Sequence, residues 1–360
     1  MSYTADDYLF VVSVEDRPYM LWQLELLAYT FTMSTSPKNI VAVIASGDDP
    51  LSSYAKGIEE EYGIQIIKAK NYGRTKKLPV YTRTGINEKE YAPMNKVCAL
   101  GEVYSQGLHE DYKYVVTLDP DMYAFGPIDF SIYPTSITAI VWNRVLDNNY
   151  PIYMKGRSYH GRDKWGKERE GVNLVKLLET TNVPKSQISA FPLGSIIVFF
   201  KKEDFTEDVV NDCIMYTEVV HHLLKISGDF AWEPEMAAYP LSLAKNGIPT
   251  ATLRNPEFDF DNQAELVKGD PVPVGSIIHY TWDGFLSRDG NRQFFDKRHY
   301  HSWGGTLFDH IEVLEAGYEE AEYPHAEYFF ECCLEIVNKI NIDRSLDGNG
   351  PIICKEMELV

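Results

Sequence analysis

The residues best suited to chemistry in this chain are two aspartates one residue apart, Asp119 and Asp121, in the stretch YVVTLDPDMYAFGPIDF (residues 114–130). The run Tyr114–Leu118 is apolar and is followed by proline and glycine, so it reads as a central strand covered on both faces. Its two carboxylates then stand at the C-terminal end of a strand, where open α/β sheets place their ligands. Carboxylates there can hold a hard divalent cation, Mn2+ or Mg2+, whose remaining positions are filled by water and substrate phosphates. One aspartate would hold the cation and the other would meet it directly or through water and ribose. Asp119 and Asp121 are therefore metal-ligand candidates, and Asp119 with Pro120 is a nucleotide-binding candidate. The competing reading is a solvated strand-to-loop corner, because Asp and Pro both favour turns.

Three further segments point the same way. The first apolar run ends in VSVEDRP, so Val12, Ser13 and Glu15 could border a nucleotide base. The segment APMNKV opens a helix and offers Asn95 and Lys96 to ribose or phosphate. IIHYT places His279 at the end of a late strand as a third metal ligand. A lone histidine is more often a satisfied core residue than a ligand; the order of these segments along the chain is more specific than any one of them. Two stretches also stand out in so acidic a chain. Residues 68–85, KAKNYGRTKKLPVYTRTG, carry six basic and no acidic side chains, and residues 287–303, SRDGNRQFFDKRHYHSW, add Arg288, Arg292, Lys297 and Arg298 among aromatics. Either could clamp a diphosphate or an anionic acceptor, or be an ordinary solvated loop.

The elements needed to position these groups follow from periodicity. YLFVVSV (8–14) and NIVAVIAS are short apolar strands. Met20, Leu21, Leu24, Leu27 and Phe31 have helical spacing between them. A helix and a third strand follow in YAKGIEEEYGIQIIKAK, and NKVCALGEVYSQG is a helix ending at glycine. This alternation predicts an α/β fold with a parallel, doubly wound sheet. Beyond residue 130, ITAIVWN and GSIIVFF read as strands, residues 150–171 as a loop, and FTEDVVNDCIMYTEVVHHLLKI as a helix. EPEMAAYPLSLAKNGI is a second helix that Pro240 should bend or break. From 308 to 337 there are nine acidic residues and no Lys or Arg, at spacings that suit a solvated helical face.

Composition excludes several classes. With 34 basic and 53 acidic residues, a formal net charge of -19 disfavours non-specific binding to nucleic acid or anionic membrane. The five cysteines, Cys98, Cys213, Cys332, Cys333 and Cys354, have no C-x-x-C spacing, which points to reduced thiols and away from a zinc framework. The N-terminal segment has no signal-peptide pattern, and no 18-residue apolar run occurs, so a soluble cytoplasmic protein without membrane association is expected.

The stretch VVTLDPDMYAFGPI resembles the metal-binding core of GT-A glycosyltransferases. FAWEPEMAAYPLSLAKNGI (230–248) is similar to the tryptophan and Glu-Met-x-x-Tyr pattern of the hydroxyproline O-arabinosyltransferases and related peptidyl serine galactosyltransferases, and IIHYTW resembles their late histidine segment. The resemblance implies a GT-A-like domain over residues 2–303 with a doubly wound mixed sheet, followed by an acidic helical C-terminal extension over 304–360. It implies a nucleoside-diphosphate donor such as a UDP-sugar, a hydroxyl-bearing acceptor, and a divalent cation held by Asp119, Asp121 and His279. Glu235 and Asp121 become the catalytic candidates, and retention of anomeric configuration is expected. Glu233 is the weaker alternative to Glu235, since either carboxylate could simply complement a helix N-terminus. Those families are membrane-tethered in the secretory pathway, so their peptide acceptors are not carried over. The alternatives are a bacteriophage-type DNA glycosyltransferase acting on hydroxymethylated cytosine and a non-catalytic sugar-binding protein. A nucleotidyltransferase should have a glycine-rich basic loop after its first strand, and VEDRPYM is not one.

Overall fold

The computed structural model describes residues 4–75, 78–82, 85–130, 136–141, 144–146, 174–184, 191–193, 197–226, 234–253, 274–280, 297, 305–321 and 323–346. The chain opens with β1 (Tyr8–Glu15), α1 (Pro18–Thr32), β2 (Ile40–Ala45), α2 (Ser53–Tyr62), β3 (Gln65–Ala69) and a short α3 (Tyr72–Thr75). A hairpin of β4 (Leu78–Thr82) and β5 (Gly85–Lys89) precedes α4 (Met94–Ser105), β6 (Tyr114–Leu118) and β7 (Met122–Ala124). There follow β8 (Thr138–Val141), β9 (Arg144–Leu146), α5 (Leu174–Thr181), β10 (Phe191–Leu193), β11 (Val198–Lys201), α6 (Glu207–Ile226), α7 (Pro234–Lys245), β12 (Thr250–Leu253) and β13 (Ile277–His279). Two helices close the described chain, α8 (Ile311–Glu320) and α9 (Pro324–Leu346).

Local chemistry sets several boundaries. Pro18, at the start of α1, lacks only an N–H that would have no partner within the helix. The Ser52 hydroxyl accepts from the Ala55 N–H at 3.1 Å to cap α2, and Gly63, at φ 66°, ends that helix in the left-handed region. Pro240 lies inside α7 and does not break it: the helix continues to Lys245.

A seven-stranded sheet, ordered β12-β8-β11-β6-β1-β2-β3, forms the centre, and it is mixed rather than parallel throughout because β11 runs antiparallel to both of its neighbours. Strand β6 lies in the middle, parallel to β1 and antiparallel to β11. Alternation along β1 sends Tyr8, Phe10, Val12 and Val14 to one face, where Leu24, Leu27 and Phe31 of α1 and Ile58 of α2 cover them. Leu9 and Val11 face the other way, against Val97 and Leu100 of α4, Val209 of α6 and Leu243 of α7. Both faces are thus helix-covered, and β6 is buried along its whole length.

The expected late strand, β13, does not join this sheet; it pairs antiparallel with β7. Behind that ladder a third cluster gathers Trp22, Tyr123, Phe125 and Tyr280 with Phe329, Phe330, Cys333 and Ile336 of α9. A Cβ on Gly317 of α8 would lie 2.4 Å from the Phe330 ring, so the two C-terminal helices approach more closely than any side chain there would allow. Glu315, Glu319 and Glu320 of α8 and Glu327, Glu331 and Glu335 of α9 are exposed, as the acidic pattern predicts. Among the described residues no helix is long and apolar enough to cross a membrane. Cys98, Cys213, Cys332 and Cys333 are buried and form no disulfide among the described residues. Cys354, the 150–171 segment, Glu233, and all of 287–303 except Lys297 fall outside the described residues.

Candidate metal centre

Strand β6 ends at Leu118, and Asp119, Pro120 and Asp121 carry the chain directly into β7. Because β7 pairs with β13 with Met122 opposite His279, the histidine is delivered beside the second aspartate, and the Tyr280 N–H donates to the Asp121 carbonyl at 3.1 Å. His279 Nε2 lies 3.0 Å from Asp121 Oδ1 and 4.0 Å from Asp119 Oδ2. One donor atom from each of Asp119, Asp121 and His279 lies within 4.8 Å of the other two, the one such group of three among the described residues. The three metal-ligand candidates therefore converge through a backbone ladder.

Two lysines enclose the carboxylates. Lys96, in the first turn of α4, places Nζ 2.8 and 2.9 Å from the two oxygens of Asp119 and 3.5 Å from Glu235 Oε1. Glu235, in the first turn of α7, is 1 % exposed and accepts a hydrogen bond from the Tyr91 hydroxyl. Lys297 donates to Asp121 Oδ2 and, at 3.0 Å, to the Tyr280 carbonyl. Burial by itself would push the Asp121 carboxyl upward, but His279 and Lys297 outweigh it and hold that carboxyl well below the usual range. Burial likewise opposes the charge on Lys96, and Asp119 followed by Glu235 more than restores it. Glu235 is raised, chiefly by burial, against the pull of Lys96 and Tyr91.

This donor set fits a divalent cation. Two carboxylates and one imidazole suit a first-row ion such as Mn2+ as well as Mg2+, and three protein ligands leave room for phosphate oxygens.

The nucleotide candidates divide. Asp119 and Lys96 are in the cluster, and Pro120 is buried between the two aspartates. Val12 is a core residue at 0 % exposure, and Ser13 is buried beside it. Glu15 closes β1 with its carboxylate engaged by Arg74 Nε at 2.9 Å and Arg17 Nε at 3.0 Å. Asn95 uses its side chain on the chain itself, accepting from the Gly73 N–H at 2.8 Å and donating to Asn71 Oδ1 at 3.1 Å. It thereby fastens α3 to the start of α4, one residue before Lys96. Gly73 is required there, since a Cβ would lie 2.7 Å from the Ala92 backbone.

Of the two basic stretches, the second sends Lys297 into the site, whereas Arg74 of the first is spent on Glu15 and Glu90. Periodicity pointed to neither Lys297 as an aspartate partner nor Tyr91 as the partner of Glu235. The only prior signal for Lys297 was the excess of basic residues around it, and Tyr91 carried none.

No protein-family model and no curated protein matches the chain. Among solved structures it is similar to the galactosyltransferase LgtC in complex with donor and acceptor sugar analogs, at 12% identity and a TM-score of 0.46, over 91% of this chain and 95% of that one. An active-site mutant of LgtC is similar at 10% identity and a TM-score of 0.44, over 81% and 93% of the two chains.

Proposed function

We propose that the chain is a metal-dependent glycosyltransferase of GT-A-like architecture, moving a sugar from a nucleoside diphosphate, in the first instance a UDP-sugar, to a hydroxyl of an acceptor. The observation that carries this reading is the convergence of Asp119, Asp121 and His279 at the C-terminal end of the central strand β6, where a doubly wound sheet opens to ligands. The motif resemblance at VVTLDPDMYAFGPI and IIHYTW, the stretches that carry these three residues, supports the same assignment. The transferase domain would span residues 2–303, with 304–360 as an extension whose helices α8 and α9 pack behind the β7–β13 ladder.

In this reading Asp119, Asp121 and His279 hold a Mn2+ or Mg2+ ion. When bound, the ion supplies Lewis-acid stabilisation of the diphosphate leaving group without proton transfer. Lys96 keeps its charge in the site because Asp119 and Glu235 flank it, so a fixed cation stands where negative charge develops as the glycosidic bond breaks. Glu235, buried with its oxygens directed at Tyr91 and Lys96, acts by positioning Lys96 and through it Asp119. Water exclusion follows from the same burial: Asp119 is 6 % and His279 8 % exposed.

The test is a donor screen. Protein, Mn2+ and a panel of nucleotide sugars are incubated with and without simple glycans, peptides and hydroxymethylated DNA, and free nucleotide is measured. Metal-dependent release that chelation abolishes is expected. Absence of release from every donor with every acceptor would overturn the transferase reading and favour a sugar-binding protein.

A further inference from the structure

Lys297 puts a cation of the chain's own inside the proposed metal centre. Its side chain is 8% exposed, its Nζ donates to Asp121 Oδ2 and to the Tyr280 carbonyl, and it lies 5.3 Å from the centre of the Tyr280 ring. His279 Nε2 stands at the other Asp121 oxygen, 3.0 Å away. Both oxygens of one proposed metal ligand are therefore engaged, one of them by an ammonium group. Leaving His279 aside, three carboxylates (Asp119, Asp121 and Glu235) face two ammonium groups (Lys96 and Lys297) among the described residues. That is a formal charge of about -1 in a buried place, where solvent screens charges weakly. A divalent ion arriving alone would reverse the sign and share Asp121 with Lys297. A nucleoside diphosphate arriving with it would bring the compensating negative charge.

We propose that Lys297 is a built-in counter-cation of Asp121 that opposes binding of the metal alone and so makes metal and nucleoside diphosphate bind together. The inference rests on the metal site proposed above, and its readout is binding rather than turnover. By linkage, the factor by which nucleotide tightens metal must equal the factor by which metal tightens nucleotide, and Lys297 would set part of that factor.

The experiment titrates Mn2+ by calorimetry, and by the signal of free Mn2+ in electron paramagnetic resonance, into wild type, Lys297→Met and Lys297→Arg, each with and without UDP. Circular dichroism melting confirms that each variant is folded. Should Lys297→Met fail to fold, Lys297→Gln, which can still donate to the Tyr280 carbonyl, is read in its place. Expected is about tenfold tighter binding of Mn2+ alone by Lys297→Met, an equal shrinkage of the UDP enhancement, and wild-type behaviour in Lys297→Arg, which keeps the charge. Mn2+ affinity of Lys297→Met equal to or weaker than wild type, with the wild-type UDP enhancement intact, would overturn the role of Lys297 and leave the metal site standing. No Mn2+ binding by any of the proteins, with or without UDP, would overturn both.

Discussion

Asp121 and Glu25 are both carboxylates withdrawn from water, and their partners differ in kind. Asp121 stands between the Lys297 ammonium and the His279 imidazole, and these hold its carboxyl well below the usual range in spite of burial. Glu25, on the buried face of α1, accepts instead from two phenols of α2, Tyr54 at 2.6 Å and Tyr62 at 3.2 Å. Burial outweighs those neutral donors and the distant pull of Lys339, and pushes Glu25 up to about 7. The difference separates a place built to gather cations from a place that pins one helix to another. A carboxylate kept charged by cations can exchange them for a metal, whereas one satisfied by phenols is stable as a neutral group.

The largest effect should come from Asp121→Ala. It removes a proposed metal ligand and leaves the buried Lys297 without its carboxylate, so metal-dependent turnover should fall about 10³-fold and stability by about 3 kcal/mol. A strand-end aspartate in a solvated corner would cost far less. Donor turnover and chemical denaturation measure the two losses separately.

Glu25→Gln tests the other side of the comparison. The folded carboxyl titrates near 7 and the unfolded one near 4.5, so between those values the native state holds more protons and stability falls as pH rises. The contribution is fully present below pH 4.5 and is lost on passing 7, a swing of about 3 kcal/mol from the size of the shift. The variant should lack this slope, so its stability relative to wild type should rise from pH 4 to pH 8 in urea melts. A parallel pH dependence in both proteins would mean that Glu25 is charged when folded.

Tyr91→Phe removes the hydroxyl that serves buried Glu235. A cost of about 1–3 kcal/mol in denaturant unfolding is expected for an acceptor left short of a donor. Turnover should fall as well, with donor affinity little changed, because Lys96 loses the orientation of its second carboxylate. Lys339→Ala should do least. Its ion pair with Glu61 joins α9 to α2 at half-exposed positions, and such pairs contribute about 0–1 kcal/mol.

Much of the architecture was legible before any coordinates. The strand Tyr114–Leu118, the helical spacing of Leu21, Leu24, Leu27 and Phe31, and the acidic face of α8 and α9 all rest on local periodicity, which tertiary packing here reinforces. Of the two outcomes expected at Pro240, a break does not occur: α7 continues to Lys245, with Tyr239, Leu241 and Leu243 buried around the proline. The nucleotide candidates show the limit of the local rule. Glu15 and Asn95 are polar residues at the right ends of their elements, yet their side chains are used to fasten the chain to itself.

By itself the sequence determined that two carboxylates would end a buried central strand, because a continuous apolar run and a following D-P-D are properties of neighbouring residues. The sequence also offered His279 as a third ligand, but only the tertiary structure decided how the partners reach the pair. His279 reaches Asp121 because β13 pairs with β7, and Lys297 reaches it across 176 residues of chain. Such pairings are set by long-range burial and ladder hydrogen bonding, which leave no periodic trace in either segment. Whether a buried carboxylate becomes a cation site like Asp121 or a neutral clasp like Glu25 depends on whether those distant partners carry charge.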